Sequence, residues 1–266
     1  MERITSLQNP RIKRLQLLNK HRERIQQQRF SMEGARELGL ARKAGYEIES
    51  IYYCPEIFAK TEYPHVLEGV PENKLVEITP AVFEKLAYRE QSDGIIALLR
   101  PKNHRLQDLT LSDNPFIIIL EKVEKPGNLG AVLRTADAAK ADAVIVCDPS
   151  TDVYNPNVIR SSVGGLFTVP VGIADAQTLL KWLQEKRIQT FAAELKASKW
   201  YHECDFKQAS AIVMGTEADG LTDFWLKHSE YRIKIPMQGQ LDSLNLSVST
   251  AILTFEAMRQ RNFNLI

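Results

Sequence analysis

Three short segments of the chain carry residue types that could serve group-transfer chemistry. The first is Pro126-Gly127-Asn128-Leu129-Gly130-Ala131-Val132-Leu133-Arg134, where two glycines, an amide and a guanidinium follow an apolar run. A strand-to-helix turn of this composition suits an anion at a helix N-terminus. Asp148 lies 20 residues after Asn128 and ends the next apolar run, mimicking the acidic ribose ligand of a dinucleotide fold. That fingerprint needs G-x-G-x-x-G, however, and only Gly127-x-x-Gly130 is present. A two-glycine turn also serves plain helix–strand packing.

The second segment, Met214-Gly215-Thr216-Glu217-Ala218-Asp219-Gly220-Leu221, ends an apolar run in a glycine turn with two carboxylates. Glu217 can brace that loop, or the pair can simply favour the start of the next helix. The third runs from Ile235-Pro236-Met237 to Ser243-Leu244-Asn245-Leu246-Ser247 ahead of a long helical pattern. Ser243, Asn245 and Ser247 are each competent helix caps, and one cap leaves the other two unexplained. The five histidines are scattered, and the three cysteines (Cys54, Cys147, Cys204) form no CxxC pair. No metal site is therefore expected, nor a disulfide framework. A Gly-x-Ser-x-Gly elbow and a Walker loop are both missing, which leaves serine hydrolase and phosphate-loop chemistry without support.

The elements that must hold these segments can be read from periodicity. From Phe116 onward, apolar runs at Phe116–Leu120, Ala143–Cys147, Leu166–Val171, Thr190–Ala193, Ala211–Met214 and Tyr231–Ile235 alternate with helical patterns. One helix carries Leu129, Val132, Leu133 and Ala136, another Leu179, Leu180 and Leu183, and the last Val248, Ala251, Ile252 and Phe255. Such alternation predicts a parallel sheet covered on both faces, with ligands beyond the strands' carboxyl ends. The loops after Leu120, Cys147, Met214 and Ile235 then become the candidates. Upstream, a helix over Gly34–Gly45, strands at Ile48–Tyr53, Leu75–Ile78 and Gly94–Leu99, and a helix started by Thr79-Pro80 make a small α/β unit. The organisation expected is a basic helical arm at 1–29, an α/β domain at 30–100, a linker at 101–114 and a parallel-sheet domain at 115–266.

Charge adds a direction. The chain totals +1, yet residues 1–29 carry a net of +6, including Arg11, Lys13 and Arg14. A basic arm on a mildly acidic body suits a phosphate backbone, although a solvated helix would look the same. Apolar runs such as Phe116–Leu120 are far shorter than the roughly 20 residues that span a bilayer, and Met1-Glu2-Arg3 opens no apolar signal region. A soluble cytoplasmic protein without membrane contact is expected.

Taken in order and spacing, the three segments resemble the three motifs of the SpoU (TrmH-type) family of SPOUT RNA ribose methyltransferases, over about Phe116 to Gln260. Tyr154-Asn155-Pro156 and Arg160-Ser161-Ser162-Val163-Gly164-Gly165-Leu166-Phe167 also resemble that family. Departures are Lys125, where the family often has Asp before the proline, and Leu246 for a usual Val. Upstream, Ile4-Thr5-Ser6-Leu7-Gln8-Asn9-Pro10 and Phe30-Ser31-Met32-Glu33-Gly34-Ala35-Arg36-Glu37 are similar to the substrate-binding domain of many members.

The resemblance implies a homodimer, a C-terminal trefoil knot, and S-adenosyl-L-methionine held there by Gly215, Ile235, Met237, Leu244 and Asn245. It implies methylation of a ribose 2′-hydroxyl in RNA, ribosomal RNA of the 23S type before transfer RNA. Arg134 would act on the partner's cofactor site, Asn128 and Glu217 would hold Arg134 and the loops in place, and Ser243 and Asn245 would touch RNA or cofactor. Arg11, Lys13, Arg14, Arg36 and Arg160 are the expected RNA contacts. Rival readings are an NAD-binding oxidoreductase built on Gly127, Gly130 and Asp148, and an RNA-binding module without catalysis.

Overall fold

In the computed structural model, which describes residues 2–88 and 92–264, the chain folds into two units. One holds the chain up to Asn103 together with Tyr154–Thr168, and the other holds His104–Val153 and Val169 onward.

The first unit is built on a five-stranded mixed sheet. Along the chain it has β1 (Glu2–Ile4), α1 (Pro10–Leu17), α2 (His21–Gln27), β2 (Phe30–Glu33), α3 (Ala35–Lys43), β3 (Ile48–Tyr53) and α4 (Pro55–Phe58), then β4 (Leu75–Ile78), α5 (Pro80–Leu86) and β5 (Ile95–Leu99). The strand order is β1-β4-β3-β5-β2. The basic segment 1–29 is not a free arm. Its β1 pairs in parallel with β4, and Ile12, Leu15 and Leu18 are buried beside Val76, Ile78 and Phe83. The cause lies in the sequence: Pro10 at the first helical turn behind an Asn9 cap starts α1, and Ile12, Leu15 and Leu18 recur every third residue on its inner face.

The second unit carries β6 (Phe116–Glu121), α6 (Pro126–Ala138) and β7 (Ala143–Cys147). The chain then supplies α7 (Pro156–Ser162) and α8 (Gly165–Thr168) to the first unit. It returns as β8 (Val171–Ala174), α9 (Ala176–Glu185), β9 (Gln189–Ala193), β10 (Lys199–Trp200), β11 (Ser210–Met214), α10 (Asp223–His228), β12 (Tyr231–Lys234) and α11 (Leu246–Gln260). All seven strands are parallel, in the order β10-β12-β9-β11-β6-β7-β8. Coverage on both faces explains why Phe116–Leu120, Ala143–Cys147 and Ala211–Met214 read as unbroken apolar runs, and every residue of β6, β7 and β11 is buried.

Two further differences from the sequence reading have physical causes. Leu166–Val171 is not a strand: Gly165–Thr168 is a helical turn packed in the first unit, and the strand starts only at Val171, after Pro170. The stretch 101–114 is also more than a linker, because Leu106 is buried and both Leu106 and Leu109 press on Gly172, filling the space a side chain there would need. Within the described residues no helix is long and apolar enough to cross a membrane.

The C-terminal helix is fastened at both ends. Just past α11, Arg261 donates to the carbonyl oxygens of Phe206 and Asn114, each at 2.8 Å, and to Ser210 Oγ at 3.0 Å. α11 thus lies against α6 with its far end tied to the starts of β6 and β11. Its N-terminus is carried to the strands' carboxyl ends.

Candidate active site

Three loops meet at those carboxyl ends. The β11–α10 loop is closed on itself: Thr216 N donates to Gly220 O at 3.0 Å and Gly220 N to Thr216 O at 3.1 Å, while Asp219 N donates to Thr216 Oγ1 at 3.0 Å. Gly220 takes a left-handed φ of +69°. Gly215 is required for a different reason. A Cβ there would fall within 3.0 Å of the Gly220 carbonyl, so only a residue without a side chain lets the turn close. Behind the loop, buried Glu121 at the end of β6 accepts from Thr222 N at 2.8 Å and Thr222 Oγ1 at 2.6 Å. The strand that begins the site therefore also anchors the start of α10.

Glu217 projects from this turn and ties the three loops together. Its Oε1 accepts from Asn128 Nδ2 at 3.0 Å and Asn245 Nδ2 at 2.5 Å, and its Oε2 pairs with the Lys125 ammonium. Asn245 Nδ2 also reaches Asn128 Oδ1 at 3.2 Å. Asn245 meanwhile caps α11, accepting from Ser247 N at 3.0 Å. One amide thus spends its oxygen on the helix cap and its nitrogen on the carboxylate, a division that an ionised Asp, with no donor, cannot reproduce. The Lys125 ammonium, followed by the Asn128 amide, holds the Glu217 carboxyl below the usual glutamate range.

That depressed value has a sign. A carboxylate stabilised in the folded state contributes above the unfolded value, and the contribution is lost as pH falls through the folded one. Glu217→Gln should therefore melt below wild type at pH 7, and the gap should close on acidification below the ordinary glutamate range. Thermal melts of both proteins across acid and neutral pH measure this; a gap that widens in acid would contradict it.

Beside the knot of hydrogen bonds opens a cleft of about 550 Å³. Met214, Ile233, Leu246 and Leu253 form apolar walls, and Gly215, Glu217, Ile235, Met237, Ser243 and Leu244 line it as well. Of the residues singled out in the sequence, Asn128, Glu217 and Asn245 are hydrogen-bonded together, whereas Arg134 is solvent-exposed on α6 and does not line the cleft. Asp148, offered as a ribose ligand, does not line it either. Sequence reasoning missed Lys125, and it missed the β9 side of the cleft, Glu194, Leu195 and Lys196. The signal was available, since the rule that points to strand carboxyl ends applies to Ala193 as much as to Met214.

In the first unit Arg11 pairs with Glu2 and lies 5.7 Å from the Tyr52 ring centre, and Arg14 donates to Gln27 Oε1 at 2.9 Å. Lys13, Arg36 and Arg160 are solvent-exposed.

Residues 115–255, a span that contains all three loops and every strand of the seven-stranded sheet, match the model of the SpoU rRNA Methylase family. The chain belongs to this family. Residues 9–97 match the MRM3-like substrate binding domain. Among SpoU methylases, the chain is 35% identical over 229 residues to the 23S rRNA (guanosine-2'-O-)-methyltransferase of Escherichia coli strain K12, covering 79% of this chain and 93% of the relative. A crystal structure of an RNA 2'-O ribose methyltransferase superposes with a TM-score of 0.86 at 40% identity, covering 98% of this chain and 99% of that one. An AdoMet-bound rRNA methyltransferase from Sinorhizobium meliloti gives a TM-score of 0.86 at 28% identity, with 97% of each chain covered. This SpoU methylase therefore shares architecture with its relatives over nearly its whole length.

Proposed function

We propose that this chain methylates the ribose 2′-hydroxyl of a nucleotide in large-subunit ribosomal RNA, taking the methyl group from S-adenosylmethionine. The observation that carries the reading is the cleft itself, beyond the carboxyl ends of β9, β11 and β12 and bordered by the Glu217 clamp, in a SpoU methylase.

The residues present fit the cofactor. Met214, Ile233, Leu246 and Leu253 offer apolar walls for an adenine, and Asp219 and Asp242 offer carboxylates to a molecule with a sulfonium and an ammonium. S-adenosylmethionine supplies an electrophilic methyl group on sulfur when bound. The chain's own tasks are to hold the 2′-oxygen in line with that methyl, to favour negative charge on the oxygen, and to exclude water. Gly215 and the Thr216–Gly220 closure keep one wall fixed. Asn128, Glu217 and Asn245 fix the other two loops to it. With its carboxyl held ionised and occupied by three donors, Glu217 is a brace and a poor proton acceptor.

We assign Arg134 to the cleft of a second copy, where its guanidinium clamps a phosphate and favours alkoxide character at the target oxygen. Two observations support a homodimer for this purpose. Arg134 is exposed and absent from its own chain's cleft, and α11 leaves Val248 and Phe255 exposed, seven residues apart on one helix. The position of β11 between β9 and β6, with α11 returning onto α6, supports a threaded C-terminal segment. The MRM3-like match and the exposed bases Lys13, Arg36 and Arg160 support RNA binding by the first unit. A cytoplasmic location accords with a ribosomal substrate.

Titration calorimetry with S-adenosylmethionine, S-adenosylhomocysteine and NAD, joined to mapping of 2′-O-methyl positions in ribosomal and transfer RNA from cells with and without the gene, tests the reading. Binding of the first two ligands and loss of one ribosomal methyl mark are expected. Binding of NAD alone, or a lost mark confined to transfer RNA, would overturn the reading.

A further inference from the structure

We propose that Lys125 is a positioning residue for the RNA: its ammonium neutralises the Glu217 carboxylate at the cleft, so a phosphodiester chain can pass without repulsion while the carboxylate keeps its two amide donors. The proposal rests on the reading given under Proposed function.

Glu217 must stay ionised to accept from Asn128, Asn245 and Lys125 at once, and its side chain is 24% exposed beside the cleft. A fixed negative charge there repels phosphates arriving within a Debye length, about 8 Å at physiological salt. The division of its oxygens answers the problem. Oε1 takes both amides, and Oε2 takes an ammonium whose side chain is 68% exposed. Lys125 does not line the cleft, and it caps the start of α6 by backbone position alone, without a side-chain cap hydrogen bond. Its side chain is therefore not needed to start the helix. The same arrangement recurs across the cleft, where Glu194 lines the wall and is paired with Arg232, which stands outside it. Each of these two acids is thus covered by a base that takes no part in the lining. Asp219 and Asp242 also line the cleft, against Lys196 and Lys234, so losing the Lys125 charge would leave the Glu217 carboxylate as added negative charge in a lining that already holds more acids than bases.

The test uses the full-length protein and a 23S rRNA transcript. Affinity is read by filter binding without cofactor, and steady-state kinetics with S-adenosylmethionine, for wild type, Lys125→Ala, Lys125→Arg, Glu217→Gln and the Lys125→Ala/Glu217→Gln double variant. Lys125→Ala is expected to raise both the RNA Kd and the RNA KM about five- to tenfold, to leave kcat within about twofold, and to keep the affinity for S-adenosylmethionine. Lys125→Arg should restore the RNA constants, and in the Glu217→Gln background the alanine change should cost less than about twofold. An unchanged Kd in Lys125→Ala overturns the proposal. An equal cost in both backgrounds also overturns it, because the ammonium would then serve the RNA directly and not the carboxylate. A wild-type protein that binds the transcript yet methylates no RNA defeats the functional reading instead, and the binding comparison still decides the role of Lys125.

Discussion

Replacing Arg134 by alanine is expected to lower the single-turnover rate of RNA methylation by about two to three orders of magnitude, the loss typical of removing one donor aimed at developing negative charge. Calorimetry should find the affinity for S-adenosylmethionine nearly unchanged, because the guanidinium is assigned to the RNA phosphate and the target oxygen and not to the cofactor. Melting behaviour should also hold, since the side chain is exposed. Full turnover in the variant would remove Arg134 from the mechanism. The assignment across a dimer makes a sharper prediction when a second variant is added. Gly215→Ala forces the Thr216–Gly220 turn open and should empty the cleft of its own chain. Neither variant is expected to act alone. Co-expressed in equal amounts, half of the dimers formed at random are mixed, and each mixed dimer has one intact cleft facing one intact Arg134, so about a quarter of wild-type activity should return. If the arginine instead serves its own chain, every cleft in the mixture lacks one partner and no activity returns.

How far the sequence alone reached differs between the site and the fold, for physical reasons. Seven parallel strands covered on both faces leave continuous apolar runs, so Phe116–Leu120, Ala143–Cys147 and Ala211–Met214 stood out within a residue of their actual bounds. Leu166–Val171 was equally apolar and misled for that reason, because a buried helical turn and a buried strand have the same hydrophobicity over so short a stretch. In the site, Asn128, Glu217 and Asn245 were legible one by one through their loops. Their mutual hydrogen bonds were not, since the contact between Asn128 and Asn245 spans 117 positions of sequence. Lys125 stood out only as a departure from the family motif and not as a site residue, because an exposed lysine before a helix is ordinary until the carboxylate opposite it is known. The charge of the first 29 residues has a second use that composition does not show. Arg3 pairs with Glu77, Arg29 with Glu49, and Arg24 is buried on the carbonyl oxygen of Leu18, so several of these bases serve the fold before any RNA.

That last point fixes the outcome of removing residues 1–29. Deletion takes away the edge strand β1 and the side chains of Ile12, Leu15 and Leu18. Three fully buried aliphatic residues contribute on the order of 5–8 kcal/mol. A domain holds only about 5–15 kcal/mol in all, so the first unit should fail to fold, and the truncated protein should lose the share of its circular dichroism signal that this unit supplies. Loss of RNA binding in that truncation would say nothing of charge. The informative variant keeps the core and removes exposed bases: Lys13→Ala, Lys20→Ala and Arg22→Ala together, all solvent-exposed positions. It should melt like wild type and bind RNA more weakly, and if all three bases meet phosphates its slope of log affinity against log salt should be shallower by about three. A truncated protein that folds would refute the structural role of the segment. A triple variant with an unchanged salt slope would assign these bases to solubility, and Arg36 and Arg160 would then be the next candidates on the first unit.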